Sequence, residues 1–457
     1  MTLTHQTQTP PESIVADKAI WAIAGPAIIA NSSAPLVGLV DTWVIGHLPD
    51  ASHLAAVGTG ATIFSFVFWM FGFLRMGTTG AIAQAHGAKD TRLISHHLIR
   101  SFALALCLGI GCILLQYGIF AFAVFALAPP ESVMSALSAY FDIRILAAPA
   151  TLLIYVLNGY LIGIARARAS LVLQLVLNIT NGLLNLFFVL AMGMGVAGIA
   201  LGTVIAEYLA VGLGFLFIAR YHGFSLLADA WRSKGIFVFK KMQALLSVNM
   251  WLFLRTLVLL TCMSLITRLA AGLGEVALAA SHIMNVFMML MSLGLDGFAY
   301  AAEALSGAAY GAKNRALFHF WSVRTSVWAV LTSLAYGVIF WVFGADIVEQ
   351  LTSLPAVQAS MSTLIPLLSV MPIIAVACYQ FDGIFIGATR ARPMFITMLA
   401  AMGVFALSTA LLYAPYGLVG IWGGFAVFLI ARGVGLWLYY PGLKAGIADK
   451  APTTNTA

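Results

Sequence analysis

Charged residues are scarce in this sequence of 457 residues. Asp, Glu, Lys and Arg together make up 9% of it, whereas soluble globular domains average about 25%. So few charges cannot cover the surface of a water-soluble globule, and 62% of the residues are hydrophobic. The same hydrophobicity excludes a disordered chain, which needs low hydrophobicity and high net charge. The composition therefore predicts a polytopic helical membrane protein, in which about 20 apolar residues form each span.

Cysteine is also sparse. The four cysteines, Cys107, Cys112, Cys262 and Cys378, all lie in apolar runs, which predicts small buried side chains rather than a disulfide framework or a zinc site. The sequence contains no His-Glu-x-x-His, no Cys-x-x-Cys and no Walker-type phosphate loop. We therefore expect no metal site, no cofactor, no enzymatic activity and no direct use of ATP.

Charged or Pro- and Gly-containing loops divide the apolar sequence into candidate spans. We predict twelve transmembrane helices, at approximately 18–47, 54–86, 94–127, 131–164, 169–191, 196–219, 241–269, 276–310, 316–344, 355–388, 393–414 and 417–440. With the N-terminus inside, 18 of the 23 Lys and Arg residues fall on the cytoplasmic side and only Arg268 falls in an outer loop. Basic residues accumulate in cytoplasmic loops. This asymmetry predicts a multi-pass protein of the inner (plasma) membrane with both termini cytoplasmic.

The same asymmetry explains the formal net charge of +7 as a topology signal. A nucleic-acid partner is therefore not expected. Residues 1–17 are polar and lack a basic region followed by a short apolar core, so no cleavable signal peptide is expected either.

The second half of the sequence repeats landmarks of the first half at a constant spacing. The motif Asn/Asp-Gly-x-x-Ile-Gly-x-x-Arg-Ala-Arg occupies 158–168 and 382–392, and Gly-Ala-Lys occupies 87–89 and 311–313. Six helices per half is an even number, so both halves have the same orientation in the membrane. We therefore expect an all-α polytopic membrane protein whose twelve transmembrane helices form two six-helix bundles, related by a pseudo-two-fold axis along the membrane normal.

This repeat predicts five parts of the chain. They are a cytoplasmic N-terminal tail at 1–17, an N-lobe at 18–220, a cytoplasmic linker at 221–240, a C-lobe at 241–441 and a cytoplasmic C-terminal tail at 442–457. Two bundles in one chain favour a monomeric transporter with alternating access, since channels more often arise from symmetric subunits around a pore.

Polar residues inside the spans are the candidate site residues, because a charge at the bilayer centre costs about 2.5–3.5 kcal/mol or more. Asp41 lies in the outer half of helix 1, with no basic residue nearby in sequence. Asn178, Asn181 and Asn185 are spaced i, i+3 and i+7, which places them on one face of helix 5. With Thr203 at the outer start of helix 6, depth permits a cluster of Asp41, Asn181, Asn185 and Thr203. The alternative is a structural polar contact between helices.

Two further N-lobe residues have two interpretations each. Glu207 in helix 6 either attracts a cationic ligand or forms hydrogen bonds within the lobe. Pro26 removes a backbone hydrogen bond from helix 1, which creates either a hinge or a static kink.

The second lobe contains a different set of polar residues: Arg255, Asp296, Tyr300, Glu303, Asp382 and Arg432. Asp296, Tyr300 and Glu303 share a helix face at i, i+4 and i+7. We expect Arg255 to pair with Asp296 near the middle of the membrane. Glu303, Asp382 and Arg432 would form another set nearer the inner face. Structural ion pairing is the favoured interpretation, and a second proton or substrate site is the alternative.

Several motifs make the sequence similar to a known family. They are Pro26, Val-Asp-Thr-x-x-x-Gly at 40–46, Gln-x-x-Gly at 84–87, and Leu-Asp-Gly-Phe-Ala-Tyr-Ala-Ala-Glu-Ala at 295–304. With the doubled Gly-x-x-Arg-Ala-Arg ends, the chain resembles the multidrug and toxic compound extrusion (MATE) family, in its DinF-like branch. The resemblance implies a twelve-helix, two-lobe exporter that exchanges H⁺ or Na⁺ for organic, often cationic, compounds.

The resemblance also implies roles for particular residues. The DinF-like pattern of an Asp in helix 1 and an Asn and an Asp in helix 5 falls on Asp41, Asn181 and Asn185, so the second acid is an amide here. Asn158 matches the family's helix 4 Asn, and we group it with Pro26, Asn178 and Glu207 as candidate substrate-binding residues. Because the amide removes a negative charge from any oxygen cage, H⁺ is favoured over Na⁺.

These observations predict a secondary active multidrug exporter. Protonation of Asp41 and bending of helix 1 at Pro26 would release an organic, cationic or lipophilic compound outward. The alternatives are a Na⁺-coupled drug antiporter and a lipid-linked glycan flippase, which would need a strongly basic central cavity. Arg255 is the only mid-span base besides Arg75 and Arg144.

Overall fold

The computed structural model describes residues 10–46, 51–223, 225–232 and 236–447, without the side chains of residues 34–46, 51–52, 226–227 and 229–230. All regular structure in these residues is helical. The α-helices are α1 Ser13–Gly46, α2 Ala51–Trp69, α3 Phe73–Gly87, α4 Thr91–Leu114, α5 Gln116–Leu127, α6 Glu131–Arg144, α7 Ala148–Gly163, α8 Ala167–Leu186, α9 Gly195–His222, α10 Ser225–Arg232, α11 Phe239–Gly272, α12 Glu275–Gly311, α13 Arg315–Leu351, α14 Pro355–Gly387 and α15 Ala391–Ala445.

Eleven helical segments of the described chain are long and apolar enough to cross a membrane. The last of them, α15, has 55 residues, which corresponds to about 80 Å at 1.5 Å per residue. It is interrupted at Gly417, where φ is 52° and ψ is −122°, a conformation that glycine adopts readily. This break separates the two spans predicted at 393–414 and 417–440. The expected all-α polytopic membrane fold is thereby confirmed.

Three predicted spans are each built from two consecutive helices. A short 3₁₀ turn, Met70–Gly72, separates α2 from α3, and another, Ile145–Ala147, separates α6 from α7. The span predicted at 94–127 contains α4 and α5, which meet at Leu115. Such local changes in helix winding leave the hydropathy of a span unchanged, so the sequence pattern could not locate them.

The sequence repeat is also present in the backbone conformation. Lys89 and Lys313 both have positive φ, at 58° and 56°, and so do Ala165 and Thr389, at 57° and 54°. Positive φ is uncommon for residues other than glycine. These four residues end helices in the same way in both halves of the chain.

The helices that follow two of these turns begin with equivalent caps. Asp90 Oδ1 accepts a hydrogen bond from the Leu93 backbone N–H at 2.8 Å, and Asn314 Oδ1 accepts one from the Leu317 N–H at 2.9 Å. Each cap satisfies one of the free N–H groups at a helix start. An acid and an amide therefore serve the same purpose at equivalent positions of the repeat.

Glycines of the repeated motif allow close helix packing. A Cβ atom at position 163 would lie 3.0 Å from the Thr79 carbonyl oxygen, and one at position 387 would lie 2.6 Å from that of Glu303. Thr79 and Glu303 are themselves equivalent positions of the repeat. Small residues let the backbones of membrane helices approach closely, which gives the repeated motif a packing role in each half.

Contacts divide the chain into two compact units. The described residues of Ile29–Ile82 and Asp90–Leu245 form the first unit, and those of Met1–Ile28, Ala83–Lys89 and Leu246–Ala457 form the second unit. The first part of α1 thus groups with the C-terminal helices. The predicted lobes at 18–220 and 241–441 were drawn from the sequence repeat, and their boundaries remain a prediction.

Candidate functional site

A row of polar side chains runs along α8 in the first unit. The Gln174 amide donates to Asn178 Oδ1 at 3.0 Å, and Asn178 Nδ2 donates to Ser33 Oγ at 2.8 Å. The Ser33 hydroxyl in turn donates to the Ala30 carbonyl at 2.7 Å. Asn178, a predicted substrate-binding residue, therefore connects α8 to α1. Gln174 and Ser33 were not among the predicted residues, although Gln174 continues the predicted asparagine face one turn earlier.

The same helix face carries the predicted coupling residues. Asn181 Nδ2 donates to Thr203 Oγ1 at 2.8 Å, and Asn185 Nδ2 donates to Asn181 Oδ1 at 3.3 Å. Asn185 is completely buried and Asn181 is 4% exposed. The structure thus brings together Asn181, Asn185 and Thr203, which the sequence grouped by spacing and depth. We call these three residues the amide cluster.

Gly202 packs against the amide cluster, and the sequence pattern did not predict a role for it. A Cβ atom at position 202 would overlap Asn185 Oδ1, so any larger residue there would displace the buried amide. A glycine in a helix interior is unfavourable by about 1 kcal/mol relative to alanine. That cost is a signal of close packing that could have drawn attention to Gly202 beside Thr203.

Asp41 was predicted as the fourth member of this cluster. Position 41 belongs to α1, but its side chain lies outside the described residues, so its role in coupling remains a prediction. Pro26 lies in the same helix, which continues through it. The border between the two units follows Ile28, two residues after Pro26.

Glu207 is held in an ion pair within the first unit. Arg144 Nη2 lies 2.7 Å from Glu207 Oε1, and the Thr151 hydroxyl donates to Glu207 Oε2. The Arg144 guanidinium also lies 5.3 Å and 5.1 Å from the ring centroids of Phe64 and Phe68, a cation–π geometry. Of the two interpretations of Glu207, the structure therefore shows the interaction within the lobe. Arg144 was missed as its partner because the two residues are far apart in sequence.

Asn158 connects α7 to α8. Its Oδ1 accepts a hydrogen bond from the Ser170 hydroxyl at 2.6 Å. In the part of the chain that the structure describes, this hydrogen bond goes to Ser170 and not to the amide cluster.

The second unit contains a buried group of fixed charges. Asp382 Oδ2 accepts hydrogen bonds from Arg432 Nη2, at 2.7 Å, and from Arg255 Nη2. The side chains of Arg255, Arg432 and Asp382 are only 9%, 7% and 14% exposed. We call these residues the charge triplet. It corrects the prediction that Arg255 and Asp382 belong to two sets at different depths. Depth read from positions within the predicted spans did not show that these two side chains, on α11 and α14, face each other.

The other predicted polar residues of this unit lie on α12. Asp296, Tyr300 and Glu303 follow one another along that helix, and Glu303 is 1% exposed. Their helical spacing agrees with the predicted shared face. Among the described residues, no group of three or more His, Cys, Asp or Glu side chains could hold a metal ion.

The two units thus offer different chemistry. The amide cluster presents neutral donors and acceptors, which can exchange partners without a large electrostatic cost. The charge triplet presents opposite charges already paired in a low-dielectric interior, where removing one partner is expensive.

Comparisons of the sequence and of the fold relate the whole chain to known proteins. Residues 26–187 and 252–412 match the family model described as MatE. The chain is 39% identical to the DNA damage-inducible protein F of Escherichia coli strain K12, over 92% of this chain and 91% of that protein. It is 24% identical to a probable multidrug resistance protein NorM of Acinetobacter baylyi, over 89% of this chain and 92% of that one.

A solved structure agrees on the fold. The crystal structure of MATE in the bent conformation superposes with a TM-score of 0.84 at 21% identity, and the match covers 96% of this chain and 98% of that one. At this identity the match shows the fold alone.

Proposed function

The chain belongs to the MatE family of multidrug and toxin extrusion transporters, and we propose that it is a secondary active exporter that exchanges protons for organic, cationic or lipophilic compounds. It is a multi-pass membrane protein of that family. Its placement in the plasma membrane as a monomer, with both termini cytoplasmic, is part of the proposal. Eighteen of the 23 Lys and Arg residues lie on the side assigned to the cytoplasm, which supports this orientation.

The observation that carries the proposal is the buried amide cluster of the first unit. Asn181, Asn185 and Thr203 are joined by hydrogen bonds, and position 41 belongs to the same unit. The three side chains of the cluster are neutral, so they would form no ion pair with a carboxyl group at the predicted depth of Asp41. Such a group can change its charge without breaking an ion pair, as a coupling residue must.

Proton coupling follows from the cost of enclosing a charge. A deprotonated Asp41 favours the state in which water reaches it, because burial disfavours the charged form of a carboxyl group. Protonation removes that charge, so the unit can close around the neutral side chain and expel the compound. Asn185 contributes an amide where the family pattern has a second acid, which leaves Asp41 as the single titrating group of the site.

Bending of helix 1 is the proposed conformational step. Pro26 lacks the N–H that would bond to residue 22, which weakens the helix at this turn. The border between the two units falls directly after Ile28. A bend at Pro26 would therefore allow the later part of α1, which contains position 41, to move separately from its first part.

Substrate contacts are proposed for polar residues of the first unit outside the amide cluster. Asn178 and Asn158 carry amides on α8 and α7, where they can accept hydrogen bonds from a compound that enters the unit. Pro26 would contribute by changing the shape of the site. Glu207 would contact a compound only together with Arg144, because that arginine balances the negative charge of Glu207.

The ion pairs also favour an exporter over a glycan flippase. A flippase of lipid-linked anionic glycans would need free basic groups in a central cavity. Arg144 is paired with Glu207, and Arg255 is paired with Asp382. Two of the three mid-span arginines therefore have carboxylate partners.

Efflux from proteoliposomes tests the proposal. Vesicles are loaded with a panel of lipophilic cations. A proton gradient or a sodium gradient directed into the vesicles is then imposed, and export of each compound is measured. We expect the pH gradient to drive efflux and the Asp41→Asn variant to lose it. Asp142→Asn is the matched control, because Asp142 is an exposed acid on α6.

Two outcomes would overturn parts of this proposal. Full pH-driven efflux by Asp41→Asn would exclude Asp41 as the coupling residue. Efflux driven by sodium but not by protons would establish the Na⁺-coupled alternative, in which the carboxylate and amide oxygens coordinate the ion.

A further inference from the structure

A groove on the second unit has no role in the transport scheme. It has a volume of about 490 Å³ and is formed by α13, α14 and α15. Its walls are apolar and include Val323, Val327 and Leu331 of α13, Phe381 of α14 and Trp437 of α15. Leu331 is 51% exposed and Trp437 is 59% exposed. In a membrane-spanning protein such exposed apolar side chains face hydrocarbon, so the groove is open to lipid.

The length of the groove matches one leaflet of the bilayer. Its lining on α13 begins at His319 and ends at Leu331, a separation that corresponds to about 18 Å along the helix. Half of a hydrocarbon core of roughly 30 Å is about 15 Å. The groove can therefore hold most of one acyl chain along its length.

One end of the groove is polar. Tyr440 lies there, and its hydroxyl is 3.0 Å from His319 Nδ1. The Tyr440 ring stacks on Phe318, with centroids 6.1 Å apart, and contacts Phe381 at 5.9 Å. These ring contacts hold the hydroxyl at the mouth of the groove. Since α13 begins at Arg315, this end lies about one helical turn from the end of the span, at the depth of lipid headgroups.

The electrostatics of this end favour an anion. Lys444 follows Tyr440 by one turn of α15, and its positive charge acts on the His319 ring. The acidic residues of the three helices are Asp346, Glu349 and Asp382. The first two lie at the opposite end of α13, and the third is engaged by two arginines.

We infer that this groove binds an anionic phospholipid. The phosphate of the lipid lies at Lys444, His319 and Tyr440. One acyl chain of the lipid lies along the valines of α13 and against Trp437. The phosphate oxygens accept a charge-assisted hydrogen bond from the Lys444 ammonium, which is about twice as strong as a neutral one, and the hydrogen-bonded pair of His319 and Tyr440 contributes a neutral donor. The chain gains apolar contacts that a headgroup alone could not provide. A cationic compound is disfavoured here by Lys444.

Native mass spectrometry of the full chain in detergent tests this site. The protein is titrated with phosphatidylglycerol or with phosphatidylcholine of the same acyl chains, and the affinity of the first bound lipid is measured. We expect phosphatidylglycerol to bind several-fold more tightly. The double variant His319→Ala/Lys444→Ala should lose about tenfold in affinity for phosphatidylglycerol, as expected for one lost charge-assisted hydrogen bond. Its affinity for phosphatidylcholine should fall less, because choline offsets the charge of that lipid's phosphate.

A second pair of variants tests the acyl-chain half of the groove. Val327→Trp fills it and should weaken binding of both lipids by a similar factor. Val338→Trp, on the same helix at a 63% exposed position outside the groove lining, should change neither. Equal affinity of the unmodified protein for the two lipids, or unchanged phosphatidylglycerol binding by His319→Ala/Lys444→Ala, would overturn the proposal. So would equal effects of the two tryptophan variants.

Discussion

The repeated glycine motif supports opposite chemistry in the two halves of the chain. Asn158 begins the first copy and accepts one hydrogen bond from the Ser170 hydroxyl. Asp382 begins the second copy and accepts hydrogen bonds from two buried arginines. The backbone packing around both positions uses the same glycines. A duplicated scaffold can therefore keep its helix contacts while its polar interior changes from neutral to charged.

A second pair of equivalent positions shows the same divergence. Asn181 and Asn185 of the amide cluster correspond to Phe405 and Thr409. Phe405 is 1% exposed and packs against Phe428, with centroids 6.2 Å apart. At this position of the repeat the second unit thus has a buried aromatic ring where the first unit has a buried amide. A mobile coupling site is accordingly proposed for the first unit, and a fixed structural group for the second.

Removal of the Asp382 carboxylate, which binds two arginines, should have the largest effect on stability. Asp382→Asn removes the carboxylate that accepts hydrogen bonds from the buried Arg255 and Arg432, so we expect a loss of about 3–5 kcal/mol in unfolding free energy. Asn158→Ala at the equivalent position should cost about 1 kcal/mol, the value of a neutral hydrogen bond. Thermal unfolding in detergent, followed by tryptophan fluorescence, measures both. Equal losses would show that the two positions do not differ as described.

A methyl group in the packed motif should have the next largest effect. Gly387→Ala brings a Cβ atom to 2.6 Å from the Glu303 carbonyl oxygen, which we expect to cost about 1–3 kcal/mol through overpacking. Gly403→Ala is the control, because nothing lies within 4 Å of its Cβ position, and it should not destabilise the protein. The same unfolding measurement applies, and destabilisation by Gly403→Ala equal to that by Gly387→Ala would contradict the packing explanation.

Changes in the amide cluster should affect transport more than stability. Asn181→Ala removes the hydrogen bond to Thr203 and should lower pH-driven efflux by about tenfold, which corresponds to about 1.4 kcal/mol. Thr409→Ala in the second unit should leave efflux unchanged. Initial rates in proteoliposomes compare the two variants. A comparable decrease for Thr409→Ala would place coupling in both units.

The smallest effects should be equal in the two halves. Asp90→Ala and Asn314→Ala each remove one helix cap, and each should cost about 1 kcal/mol in unfolding free energy. Because the cap geometry is the same, the two melting shifts should agree. Melting shifts of clearly different size would show that the two caps contribute unequally to stability, although their sequence positions and backbone angles are equivalent.

Local patterns in the sequence predicted much of the first unit's site. The spacing of Asn178, Asn181 and Asn185 places them on one helix face, and depth in the membrane adds Thr203. Both quantities depend only on position along a single helix. Gly202 was missed because its role depends on the volume beside it, and volume is a property of the neighbouring helix.

Partners across large sequence separations could not be predicted in the same way. By depth in the membrane, Arg255 was expected to pair with Asp296 and Asp382 was expected nearer the inner face, but Asp382 accepts a hydrogen bond from Arg255. Glu207 had two interpretations until Arg144 was found beside it. In each case the deciding quantity is the direction in which the side chain points around its helix axis, relative to helices far away in sequence.

By itself the sequence determined the membrane class, the spans, the repeat and the polar helix face. These follow from hydropathy and from the fixed rise and rotation of a helix, which act over a few residues. Tertiary structure alone decided that Asp382 joins two arginines, that Arg144 balances Glu207 and that α13, α14 and α15 leave a groove. Those features depend on which helix faces meet, and only the packed structure specifies that.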